Sequence, residues 1–153
     1  MRLTRRPGGG FRLEGPEWGP TEGAPDEAGY SVRGVERAWS VRLRREEGCP
    51  PAWAEIDDGS GNGATVVTWQ ADDPGAPASV LLADGRLFRI ALAEIDPPKL
   101  AVGRWDLTGA YLHASADEGA WRIETTVAGN GLPSLDEIVV ATCFEIGRRA
   151  GWL

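Results

Sequence analysis

From Tyr30 onward, apolar and polar positions alternate in short runs separated by turn residues. Trp39, Val41 and Leu43 alternate with Ser40, Arg42 and Arg44, the period of a half-buried strand. Residues 53–56 predict a second strand, closed by the turn Asp57-Asp-Gly-Ser-Gly-Asn-Gly63. A third follows at 65–70 and is turned over by Asp72-Asp-Pro-Gly75. Residues 79–82 and 87–92 flank Asp84-Gly85, the strongest short hairpin signal in the chain. Asp96-Pro-Pro98 is expected to break the pairing, after which 100–107, 110–114 and 121–127 complete the series. That gives seven to ten short strands at regular spacing, the pattern of a sandwich or barrel.

The pattern changes once, at the end. Ser134 and Glu137 make a capping box ahead of an apolar run. Arg148 and Arg149 sit at the expected negative pole, with Gly147 and Gly151 available to end the helix. The signals predict one helix over about 134–149. At 100° per residue, Ile138, Val139, Val140, Ala141, Cys143, Phe144 and Ile146 spread around the whole circumference. A helix apolar all round must be buried all round. The alternatives are an amphipathic helix lying on one sheet, or a strand through the β-prone Ile-Val-Val. The fold class expected is mainly β: a closed antiparallel barrel, or strongly curved sheet, around a hydrophobic C-terminal helix.

Residues 1–29 break the alternation. Seven glycines and four prolines leave Phe11, Leu13 and Trp18 as isolated apolar residues. Such a composition buries little surface against chain entropy, which predicts a loosely ordered tail with Trp18 the one residue able to dock. The expected domain is therefore 30–153. At 153 residues, 42% hydrophobic and 25% charged, the chain suits one soluble domain.

The net charge of −7 lies entirely in residues 51–153, which argues against nucleic-acid binding and against strong adhesion to anionic lipid. No apolar run reaches bilayer length and no secretory signal is expected, so the location read from the sequence is cytoplasmic. Cys49 and Cys143 make no disulfide framework and are expected as free thiols.

The stretch Leu132-Pro-Ser-Leu-Asp-Glu-Ile-Val-Val-Ala-Thr-Cys-Phe-Glu-Ile146 resembles the closing helix of the phospholipid scramblase, Tubby and LURP-one-related superfamily. Ala83-Asp-Gly-Arg-Leu-Phe-Arg-Ile90 is similar to the hairpins of its smaller LURP-one-like members. The resemblance covers 36–153 as a pattern and implies a closed barrel wrapped around a hydrophobic C-terminal helix. For function it implies at most a peripheral lipid-related or scaffold role. Where scramblases carry an acidic calcium-binding segment, this chain has Glu145-Ile-Gly-Arg-Arg149. Nor does it carry a set of lysines matching the phosphoinositide patch of Tubby proteins.

Candidate chemistry is sparse. Asp58-x-Ser60-x-Asn62-Gly63 matches the opening of a calcium loop, but the twelfth position is Trp69 and a strand follows, so a plain hairpin turn is expected. His113, the only histidine, falls on the phase opposite Leu112 and Ala114 and is expected to face solvent. A Cys143–His113 nucleophile pair is conceivable on residue type, yet an apolar helix raises a thiol's pKa and lowers its reactivity. Arg33, Arg37, Arg42, Arg44 and Arg45 form the one basic concentration, in reach of an anionic headgroup but diluted by Glu36, Glu46 and Glu47. The acid pairs at 57–58 and 72–73 read as turn formers. No serine elbow, phosphate loop, dinucleotide fingerprint or zinc spacing is present.

The reading is a non-catalytic binding or scaffold barrel, monomeric and without cofactor, metal or catalytic residues. The sequence names no partner; a weakly held phospholipid and a small apolar ligand are the candidates it leaves open. The alternative is a helix-grip or lipocalin-like carrier with an apolar small molecule in its cavity, and an uncharacterised hydrolase ranks behind both.

Overall fold

The structure, a computed structural model, describes residues 1–16, 18–45, 48, 51–70, 73, 75–105, 109–126 and 135–153. Twelve strands precede the single described helix: β1 Arg2–Arg5, β2 Phe11–Glu14, β3 Thr21–Pro25, β4 Gly29–Arg33, β5 Ala38–Arg44 and β6 Trp53–Asp57. They continue with β7 Thr65–Thr68, β8 Ala78–Leu81, β9 Leu87–Ile95, β10 Pro98–Arg104, β11 Leu112–Asp117 and β12 Ala120–Thr125. Each strand pairs antiparallel with its sequence neighbours, and β1 pairs with β12, so the sheet closes. The α-helix α1, Leu135–Arg149, occupies the interior.

Inward phases of the strands supply the sleeve: Val32, Trp39, Val41, Ile56, Val67, Val80, Phe88, Ile90, Leu100, Leu112 and Ile123 are buried. Every residue of α1 from Ile138 to Ile146 is buried as well. Phe144 is gripped edge-on by two rings, Phe11 at 5.6 Å and Tyr30 at 5.3 Å between centroids. The all-round apolar helix is thus sheathed on every side, as its periodicity requires. Ser134, half of the expected capping box, lies outside the described residues; Asp136, in the first turn, is ion-paired with Arg37.

Two expectations are corrected. Residues 1–29 are not a loose tail: β1, β2 and β3 are staves of the barrel, and Leu3, Phe11, Leu13 and Thr21 are buried on its inner face. Their glycines make turns and close approaches. Gly10 has φ +89 and lies where a Cβ would fall 2.1 Å from the Gly23 carbonyl oxygen, while a Cβ on Gly23 would strike the Phe11 ring. Four-residue strands draw their stability from pairing with neighbours on both sides, which local composition does not reveal. Secondly, Asp96-Pro97 does not break the pairing. It is the tip of the β9–β10 hairpin, with Pro98 opposite Ile95.

Candidate functional site

Glu145 is the one fully buried carboxylate among the described residues, 0% exposed on the inner helix. Trp69, just after β7, donates its indole N–H to Oε2, and Arg149, one turn along α1, donates Nε–H to Oε1. The Arg148 guanidinium lies 5.6 Å from the Trp69 ring centre. Burial pushes the Glu145 carboxyl above the usual carboxylate range, and Arg149, Arg148 and the Trp69 N–H pull it partly back. Through these bonds the cluster ties the C-terminal end of α1 to Trp69 on the barrel wall. The sequence carries a partial signal, a Glu-x-x-x-Arg spacing whose glutamate falls inside an apolar run, but nothing in it points to Trp69.

The residues singled out from the sequence are dispersed. In the 57–63 turn, Asp57 Oδ1 accepts from Gly59 N–H (2.8 Å), Asp58 Oδ1 from Ser60 N–H (2.9 Å) and Ser60 Oγ from Asn62 N–H (3.2 Å). These are turn-forming bonds. Among the described residues no group of three His, Cys, Asp or Glu side chains is placed to hold a metal ion.

His113 stands on the outer face of β11 between Ala101 and Glu124, whereas Cys143 is buried on α1. The barrel wall separates them, and burial pushes the thiol far up. Cys49, Asp72, Glu46 and Glu47 lie outside the described residues. Arg42 and Arg44 are exposed on β5, one opposite Glu55 and the other 5.1 Å over the Trp53 ring, while Arg37 turns to Asp136. They form no single cradle.

What the sequence reading missed is on the outside. Val66, Leu81, Leu87 and Trp105 stand side by side across β7, β8, β9 and the residue following β10. The Trp105 N–H donates to the Leu87 carbonyl at 3.1 Å, fixing the last step of the row. Leu81, Leu87 and Trp105 are 45%, 39% and 44% exposed. At about 4.8 Å between strands the row is roughly 14 Å long. Arg89 lies 5.7 Å over the Trp105 ring, Arg86 pairs with Asp84 at 2.7 Å, and Arg104 adds a third cation to the same end of the sheet. On its β6 side the row stops at Glu55. The available signal was Leu81 and Leu87, both out of phase with their buried neighbours Val80, Leu82 and Phe88.

No protein-family model, curated protein or solved structure matches this chain. No helix among the described residues is long and apolar enough to cross a membrane.

Proposed function

We propose that this chain is a non-catalytic binding barrel akin to the scramblase, Tubby and LURP-one barrels, meeting phospholipid headgroups weakly through the Leu81–Leu87–Trp105 row. The observation that carries the reading is this apolar row with Arg86, Arg89 and Arg104 at the same end of the sheet. Tryptophan and arginine suit the headgroup zone, where an amphipathic ring and a cation are both satisfied. The remaining acidity of the body is screened beyond about 8–10 Å at physiological salt. Weighing against a carrier with cargo inside the barrel, α1 and the inward side chains occupy that interior.

Each half-exposed leucine or tryptophan contributes about 1 kcal/mol on insertion, so association is weak and reversible. Co-sedimentation with vesicles tests this. Binding is expected to vesicles containing phosphatidylserine, to fall with added salt, and to drop at least threefold in Leu81→Asp and Trp105→Ser. Equal binding by wild type and both variants, or none by wild type, would reject the proposal.

A further inference from the structure

At the mouth where α1 begins, the β6–β7 and β8–β9 turns face Glu137, in the first turn of the helix, across a cavity of about 290 Å³. The two turns meet at its side, where a Cβ on Gly63 would fall 3.3 Å from that of Ala83. Among the described residues the buried polar side chains are Thr21, Thr65, Thr142 and Glu145. Thr21 and Thr142 donate to the Gly19 and Ile138 carbonyls, and Glu145 accepts from Trp69 and Arg149. Thr65, 3% exposed and lining the cavity, has no hydrogen-bond partner among the described residues. Its Oγ1 keeps accessible area, which opens onto this space. A buried hydroxyl left in that state is one that something in the cavity completes. Glu137 likewise makes no hydrogen bond or ion pair among the described residues.

Charge decides the class of ligand. Asp84, on the rim, is neutralised by Arg86 at 2.7 Å. Asp58 and Glu137 line the cavity without an ion pair among the described residues. Hydrogen bonds from Ser60 hold the Asp58 carboxyl below its ordinary value, so it is ionised at neutral pH. The positive end of α1 supplies about half a unit charge against these two full negative ones. No three acidic side chains among the described residues are placed to share a metal ion, so the geometry suits a cation longer than a single atom. We infer that the cavity binds a short aliphatic diamine, one ammonium donating to Glu137 and Thr65 Oγ1 and the other to Asp58. Ile56 and Ala83, also on the lining, meet the methylenes between them. Each ammonium carries three donors, which lets one end satisfy a carboxylate and a hydroxyl together. The volume is just under the roughly 300–1,000 Å³ of sites for drug-sized ligands, as a ligand of a few heavy atoms needs.

Amide proton–nitrogen correlation spectra of the whole chain, titrated at low salt with putrescine, butylamine, butanediol and calcium chloride, separate number of charges from shape. Putrescine is expected to move the Gly63, Thr65 and Glu137 amides saturably with a Kd of about 1 mM, weakening as salt is added. Butylamine binds about tenfold more weakly, and butanediol and calcium leave those amides in place. Glu137→Gln and Asp58→Asn each weaken putrescine about tenfold. Thr65→Val exchanges the hydroxyl for a methyl; it weakens putrescine about threefold and melts no lower than wild type. Asp57→Asn, in the same turn but off the cavity lining, leaves the affinity unchanged and so separates this site from the general acidity of the surface. Unmoved amides at tens of millimolar putrescine, butylamine binding as tightly as putrescine, calcium moving the same amides at millimolar concentration, or Asp57→Asn weakening binding as much as Glu137→Gln would overturn the inference.

Discussion

Glu145 sits where a charge is expensive, at 0% exposure inside an apolar sleeve. Trp69 and Arg149 each donate to one of its oxygens, while Arg148 Nε and Arg149 Nη2 are buried with no hydrogen-bond partner among the described residues. Its raised pKa, caused first by desolvation, means the folded protein holds the Glu145 proton more tightly than the unfolded chain. Below about pH 4.5, its ordinary value, both states are protonated and no charge is buried. As pH climbs through the folded-state value, the native carboxyl must ionise in place and this residue's contribution turns unfavourable. Glu145→Gln keeps an acceptor for Trp69 and never ionises. The unfolding free energy of wild type minus that of Glu145→Gln is therefore expected to fall as pH rises above about 4.5. Urea unfolding of both proteins at stepped pH checks it, and a difference that grows with pH would show that the arginines outweigh burial.

At the scale of the element, α1 was legible because its signal is local. Seven apolar residues spread over 360° can only be satisfied by enclosure, and the structure encloses all of them. Even its one internal hydroxyl is absorbed locally, with Thr142 Oγ1 donating to the Ile138 carbonyl at 2.8 Å. The Glu145 lock was not legible, since Trp69 is 76 positions away and only the closed sheet brings it to the helix. Trp18 was expected to dock, but its partner Trp39 and the Leu81–Leu87–Trp105 row escaped for the same reason: each contact joins residues distant along the chain. Val140, 2% exposed at the middle of α1, gives the element its test. Val140→Asp places an unpaired charge among side chains with nothing to neutralise it, at a cost of several kcal/mol against a typical total of about 5–15 kcal/mol. The variant is expected to lose soluble, cooperative folding. A sharp melt within a few degrees of wild type would mean that the helix has an open flank.

The whole molecule depends on closure, and closure depends on residues that composition alone dismisses. In residues 1–29 the glycines looked like the signature of a disordered tail, because a four-residue strand such as Arg2–Arg5 carries almost no periodicity of its own. Yet β1 is the stave that joins β2 to β12: Leu3 faces Leu13 on one side and Trp121 on the other, and the Met1 amino group donates to the Ile123 carbonyl at 2.8 Å. A chain beginning at Asp26 lacks β1, β2 and β3 together. It forfeits the burial of Leu3, Phe11 and Leu13, roughly 5–9 kcal/mol as an upper estimate, which is comparable to the whole stability of an ordinary domain. It also leaves β4 and β12 as unpaired edges on either side of an uncovered Phe144, and open edges beside apolar surface template aggregation. Such a chain is expected to be insoluble or to elute as large aggregates, and to lose the slow amide exchange of α1. A monomer that melts cooperatively and keeps α1 protected would show that the first three strands are dispensable, and the barrel would then have to be described as an open sheet with an optional flap.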